Sequence, residues 1–389
     1  MRGTVAERAF QRLVRDEAAW AVFAERGLPT THDEDWRFTP LGALASVDFA
    51  AAAPAEIPPA ELAKARARVG DARLSTAGLS ESLGRVLDAK RSPFAALNAA
   101  LAEGGNAIDV AANCESSLPF HLVRWVADGS PSVASPRARI VLRAGASATV
   151  IEHFLGAPGS KSLSNAATEI ELEPGARLRY VLLQELPDTA FHFSSIASRQ
   201  AADSRLELTS IALGARLARV EVSATLAGEG AELELDGLYL GCGSQLQDHH
   251  TTIDHALPRT TSRELFKGIL DGRAHGVFHG RVHVRPHAQK IDAAQTNRAL
   301  LLSDGAVIDS KPQLEIYADD VKCSHGASVG QLDPDQIFYL RSRGLELERA
   351  RALLTFGFAS EVLAKLPLPA LRGSLEQTLL AWLPLGAGT

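Results

Sequence analysis

The stretch Ala138-Arg139-Ile140-Val141-Leu142-Arg143-Ala144-Gly145-Ala146-Ser147-Ala148-Thr149-Val150 alternates apolar and polar side chains on either side of a Leu-x-x-Gly-Ala break. A period of two gives one face to a core and the other to solvent, which marks a strand. The same grammar fills Ala167 to Leu183, Arg205 to Leu213, Arg219 to Leu226 and Glu232 to Leu240, with short Gly or Pro punctuation between them. The break itself recurs at Leu172-Glu173-Pro174-Gly175-Ala176 and at Leu302-Ser303-Asp304-Gly305-Ala306. A strand that ends in a turn of positive φ needs glycine there, and a crowded corner favours alanine beside it. The first two copies lie 30 residues apart (172 − 142), as in stacked coils of similar length. The pattern predicts a β-solenoid, in which each rung covers the apolar face of its neighbour. A two-sheet jelly roll would give similar strands and is the alternative.

Working outward, the period changes. Residues 1 to about 27 read as helix, since Ala6, Phe10, Leu13, Val14, Trp20 and Phe23 recur at spacings near three and four before Gly27 and Pro29. The polar-aromatic cluster Asp33-Glu34-Asp35-Trp36-Arg37-Phe38-Thr39-Pro40 follows, then an Ala-rich tract with Pro54, Pro58 and Pro59 that reads as a linker. Ser92-Pro93 is a helix start, because serine can cap free N–H groups and proline suits the first turn; that helix should stop at Gly104-Gly105. Past Gly344 the helical period returns through Leu345 to Phe358 and again from Leu375 to Leu383, closed by Pro384. Three regions are expected: 1–105 helical, 106–344 β and 345–389 helical.

The 389 residues exceed what one ordinary core supports, in keeping with several regions or a repeat architecture. A net charge of -6 and a pI near 6.1, without a basic run, argue against nucleic-acid binding. The N-terminus meets charge at once and has no apolar core of signal-peptide type, and no stretch reaches the ~20 apolar residues of a membrane span. A soluble, cytoplasmic protein is expected, with no membrane partner. Cys114, Cys242 and Cys323 are odd in number and far apart, which speaks against a disulfide framework and cannot supply a four-cysteine cluster site.

Chemistry concentrates near one end of the β region. In Asp319-Asp320-Val321-Lys322-Cys323-Ser324-His325-Gly326, a thiol and an imidazole stand two positions apart, so a strand would project both from one face. Sulfur beside imidazole suits zinc, copper or iron–sulfur chemistry, although a lone Cys-x-His is more often a buried thiol near a hydrogen-bonded histidine. Eight of twelve histidines lie between 249 and 325, where an even spread would place about two or three. His249, His250 and His255, and the series His275, His279, His283 and His287, have ligand-like spacings; the plain alternative is histidines hydrogen-bonded along a sheet. No P-loop, His-Glu-x-x-His or Gly-x-Ser-x-Gly motif is present. A stand-alone cupin-like metalloenzyme using the clustered histidines is the competing function, although Gly276 to His287 lacks the His-x-His and nearby Glu of a cupin strand. A β-helix polysaccharide-active enzyme is a weaker competitor, with only 6% aromatics.

Residues 239 to 344 taken together resemble the core of the SufB/SufD family of iron–sulfur cluster assembly scaffolds. The resemblance is carried by Asp248-His249-His250, Arg263-Glu264-Leu265-Phe266-Lys267-Gly268, Gly276-Val277-Phe278-His279-Gly280, Gln289 to Asn297, Leu300 to Leu302, Pro312 to Ile316 and Asp319 to Gly344. It extends to Glu34-x-Trp36-Arg37-Phe38-Thr39, Phe94 to Asn98 and Gly357-Phe358, and so spans most of the chain. Cys323-Ser324-His325-Gly326-Ala327 stands where the SufB branch tends to have His-Glu-Ala, Arg298 replaces a SufB cysteine, and a SufB-type CxxC is lacking, so the chain resembles the SufD branch. The resemblance implies a mainly β fold, a right-handed parallel β-helix flanked by N- and C-terminal helices. It further implies a non-catalytic scaffold that pairs with SufB through the last strands and holds the ATPase SufC by its C-terminal helices. It would place His325, with Cys323 as the weaker candidate, at iron or a nascent Fe-S cluster shared transiently with SufB, with no cofactor stably bound by the chain alone. Whether the isolated protein forms a homodimer stays open.

Overall fold

The computed structural model describes residues 3–52, 57–74, 84–102, 104–127 and 129–383. The N-terminal region comprises α1 (Val5–Arg12), α2 (Glu17–Arg26), α3 (Gly42–Ala45), β1 (Ala50–Ala51), α4 (Pro59–Val69), β2 (Arg73–Leu74) and α5 (Pro93–Leu101). The single helix expected to residue 27 is two. Asp16 caps α2 by accepting from the N–H groups of Ala18 and Ala19, while the N–H groups of Arg15 and Asp16 donate to the Ala100 carbonyl. The carboxylate and a carbonyl from α5 thus satisfy groups that a continuous helix would have used. Gly27, at φ 67°, ends α2 as its position implied. α5 starts at Pro93, yet Ser92 makes no side-chain cap bond, and the helix ends at Leu101.

The body is a run of strands: β3 (Asn106–Val110), β4 (Phe120–Val126), β5 (Ser132–Ala134), β6 (Arg137–Leu142), β7 (Ser147–Gly156), β8 (Leu163–Leu172), β9 (Arg177–Glu185), β10 (Phe191–Gln200) and β11 (Arg205–Ala212). It continues through β12 (Leu217–Leu226), β13 (Glu232–Gly241), β14 (Leu246–His255), β15 (Thr261–Leu270), β16 (His275–Val284), β17 (Ile291–Leu301), β18 (Val307–Ile316) and β19 (Val321–Gly330). Successive strands alternate between two sheets, one in the order β8-β10-β12-β14-β16-β18 and the other β19-β17-β15-β13-β11-β9-β7. All named pairs are parallel, so this is a parallel β-solenoid of about eight turns and not a jelly roll. Arg137 pairs with Ala167 and Ser147 with Arg177, which is the 30-residue repeat seen in the sequence.

Gly145 and Gly175 take φ values of 67° and 71°, as their motif demanded. Gly305 does not; there a side chain is excluded because a Cβ would lie 2.6 Å from the Gly272 carbonyl oxygen. Inside the solenoid, alternate residues from both sheets form one core, including Val150, Tyr180, Leu208, Leu235, Phe266 and Phe278. Each such side chain contributes about 1.5–3 kcal/mol by leaving water.

Both outer faces are covered through the middle of the solenoid. The N-terminal segment lies on the even-numbered sheet, where Trp36, Phe94 and Phe193 stack and the Phe94 and Phe193 rings are 3.5 Å apart. The other sheet is covered by α7 (Leu347–Leu363) and α8 (Pro369–Trp382), with Val362, Leu371 and Leu375 packed over Val181, Ile211 and Ile269. Lys267 is buried here; its Nζ donates to the Phe358 carbonyl at 2.8 Å and pairs with Glu361 at 2.5 Å. Helix resumes earlier than residue 345, at α6 (Pro334–Ser342), which Asp333 caps. Its apolar residues, Ile337 to Leu340, run consecutively and none is buried, so no helical period marks α6 in the sequence. Pro384 lies outside the described residues. Among the described residues no helix is long and apolar enough to cross a membrane.

Candidate functional site

Among the described residues the solenoid ends without a cap. On β19 every residue from Ser324 to Gly330 is exposed, and no strand pairs with its outer edge among the described residues. Cys323 pairs in register with Ala293, and His325 with Gln295. Ala293, Gln295 and Asn297 are buried on the inward face of β17, so Cys323 and His325 share the inward face of the last rung, as alternation implied. Cys323 is half-buried against the solenoid core, whereas His325 is exposed because nothing stacks beyond it. Burial, and then the nearby charge of Asp292, push the Cys323 thiol pKa up against a backbone contact from Ala293, so the thiol stays protonated near neutrality. Between the two residues, the imidazole is therefore the better lone-pair donor.

Behind His325 the interior turns polar. Gln295 Nε2 donates to Glu264 Oε2 at 2.6 Å, and Asn297 Nδ2 donates to Ser310 Oγ at 3.0 Å. Burial raises Glu264 to about 7, opposed by hydrogen bonds from Thr251 and Gln295. Gln295 Oε1 and Asn297 Oδ1 find no protein partner among the described residues.

The histidines divide by strand parity. His249 faces inward between Tyr239 and Phe266 while His250 faces outward, so adjacent positions cannot ligate one ion from the same side. His255 is buried, 2.7 Å from Thr260 Oγ1 and 2.9 Å from Ser262 Oγ. His275, His279 and His283 share the outward face of β16, and His287 lies in the turn beyond it. His275 meets Asp309 at 2.7 Å and His283 meets Asp254 at 3.1 Å, so two of the four are hydrogen-bonded to carboxylates along the sheet. What the spacing did not reveal is a pairing between strands: His250 and His279 are register partners, and Asp35 from the N-terminal turn joins them. Among the described residues this is the group of three metal-ligating side chains within mutual reach; Cys323 and His325 belong to no such group.

Residues 125–358 match the model of the SUF system FeS cluster assembly SufBD core domain. The chain belongs to the SufB/SufD family. It is 34% identical over 393 residues to an iron–sulfur cluster assembly SufBD-family protein of Synechocystis, covering 90% of this chain and 86% of that protein. It is 33% identical to the iron–sulfur cluster assembly protein SufD of Escherichia coli, covering 86% and 85%. A SufBD-family protein of Mycobacterium leprae is 31% identical over 90% of this chain and 88% of its own length.

The family blocks acquire physical roles in this fold. Asp248 is buried, accepts from Thr39 Oγ1 at 2.6 Å and pairs with Arg219 at 2.6 Å, and these contacts hold its pKa far below the usual carboxylate range despite burial. Arg219 also donates to the Asp35 carbonyl at 2.8 Å and lies 3.7 Å from the centre of the Trp36 ring. The Glu34-to-Thr39 block is thus a clasp that closes the N-terminal segment over β12 and β14. Gly268 leaves room for Tyr239, whose ring would lie 2.3 Å from an added Cβ.

Proposed function

We propose that this chain is a SufD-type, non-catalytic scaffold subunit of an iron–sulfur cluster assembly complex. The single observation that carries the reading is the uncapped last rung, with His325 and Cys323 on its inward face. A bare parallel strand edge invites pairing with another chain. A SufB-type partner would cover β18 and β19 and complete a ligand set that one imidazole and one protonated thiol begin. Iron, or a nascent cluster, is the cargo of that shared site. On the outer side, Tyr339, Leu340, Leu353 and Leu354 line an open apolar groove between α6 and α7, which offers a SufC-type ATPase a grip. Movement of such a clamp would open or distort the shared rung.

The test is co-expression with SufB- and SufC-type proteins, capture of the complex, and iron and sulfide analysis of wild type against His325→Ala. The reading expects an intact complex that has lost iron or cluster. An intact His325→Ala complex with unchanged iron loading would sink it.

A further inference from the structure

We propose that Asp35, His250 and His279 form a binding site for a divalent transition-metal ion, separate from the last rung. One donor atom from each residue lies within 4.8 Å of the other two. His279 Nδ1 and Asp35 Oδ1 are 3.5 Å apart. Two ligands of one tetrahedral ion, each about 2.0–2.1 Å from it, are separated by roughly 3.3 Å, so this pair is already spaced for coordination.

The neighbours hold both rings by Nε2. Gln313 Oε1 lies 2.9 Å from His279 Nε2 and also faces the Arg281 guanidinium at 3.3 Å, so the acceptor end of the amide is toward both. His279 therefore donates from Nε2 and carries its lone pair on Nδ1, toward the Asp35 carboxylate. Two acceptors face each other with no proton between them, an arrangement that a cation relieves. On the next rung, His250 Nε2 lies 3.0 Å from Asp248 Oδ1 and 3.0 Å from Arg219 Nη1. That Nη1 is also engaged by Asp248 Oδ2 and the Asp35 carbonyl. His250 is thus held at Nε2 by Asp248 and Arg219, which leaves Nδ1 for a metal. A carboxylate or amide behind each ligating imidazole is the usual support of a metal site.

Charge balance points the same way. Arg219 is one cation held by Asp248 and Glu221, and Asp35 adds a third carboxylate. Lys311 is taken by Glu34. The local excess is negative and matches a dication. Two imidazoles with one carboxylate select first-row ions such as Fe2+, Co2+ or Zn2+ over Mg2+ or Ca2+. Three protein donors leave coordination positions open, and these face a cleft of about 790 Å³ that also contains Arg281 and Arg285. The carboxylate rides on the Glu34–Trp36 turn, so ion binding would lock the N-terminal clasp to β14 and β16.

Titration of the full-length protein with Co2+ tests this, read by metal content after gel filtration and by ligand-field absorption. One Co2+ per chain is expected, with d–d bands and no thiolate charge-transfer band. Asp35→Asn, at an exposed position, should weaken binding at least about tenfold, and Gln313→Leu about 10–100-fold through loss of the support behind His279. The double variant Cys323→Ser with His325→Ala should bind as wild type does. Uptake that is absent in the wild type, unchanged in Asp35→Asn, or abolished by the Cys323/His325 double variant would overturn the assignment.

Discussion

The middle rungs and the last rung are built from the same strand length and the same parity, yet they differ in what covers them. From Leu163 to Leu172 every residue but one is buried, because the N-terminal segment seals the outer face and neighbouring rungs seal the edges. From Val321 to Gly330 none is buried. Stacking makes a rung stable, and a terminal rung is only half stacked. Natural repeat arrays cap such ends or keep them for a partner. Here the end is left with exposed Val307, Ile316, Tyr317 and Val329, which marks it as a surface to be covered.

Substitutions should respond to that contrast. The largest effect is expected in the covered part: Phe193→Ala removes a ring stacked on Phe94 and buried against Trp36, and should cost about 3–5 kcal/mol in a urea melt. A loss below about 1 kcal/mol would mean that the clasp does not hold the middle rungs. Next comes the polar interior beside the open end. Glu264 is raised from 4.5 to about 7, so its contribution is intact below pH 4.5 and is lost as pH rises through 7. Glu264→Gln keeps the bond to Gln295 and should be more stable than wild type by up to about 3 kcal/mol at pH 8, with the gap closing toward pH 4.5. A gap independent of pH would show that Glu264 is not held protonated.

Smaller still is the latch of the tail. Lys365 Nζ lies 2.8 Å from the buried Asp236, and Lys365→Ala should cost about 1 kcal/mol and speed proteolysis between α7 and α8. The smallest effect belongs to the last rung, where Val329→Ser should change the stability of the isolated chain by less than about 0.5 kcal/mol. The same variant should weaken capture of the partner chain, and unimpaired capture would move the interface elsewhere.

Much of this arrangement is legible in the sequence. Period two, together with Gly145 and Gly175 at a 30-residue offset, encodes both the strands and their stacking, because parallel pairing in register converts a repeat length directly into a contact. Parity likewise places Cys323 and His325 on one face. Contacts between blocks are not legible. Whether His250 meets His279 depends on rung lengths, which here give an offset of 29 residues (279 − 250), and Asp35 arrives from more than 200 positions away. The break between α1 and α2 was hidden for another reason: the apolar spacing continues through it, and only the capping carboxylate of Asp16 marks it.

The clasp has a consequence for the order of events during synthesis. Thr39 bonds to a residue 209 positions later, and Glu34 to one 277 positions later. At roughly 5–20 residues per second, these two partners leave the ribosome about 10–55 s after Thr39 and Glu34. Throughout that interval Phe10, Phe23 and Trp36 have no finished surface to rest on, although all three are buried in the final fold. The solenoid can grow rung by rung from local pairings, but its opening segment must wait, so the first part made is among the last to settle.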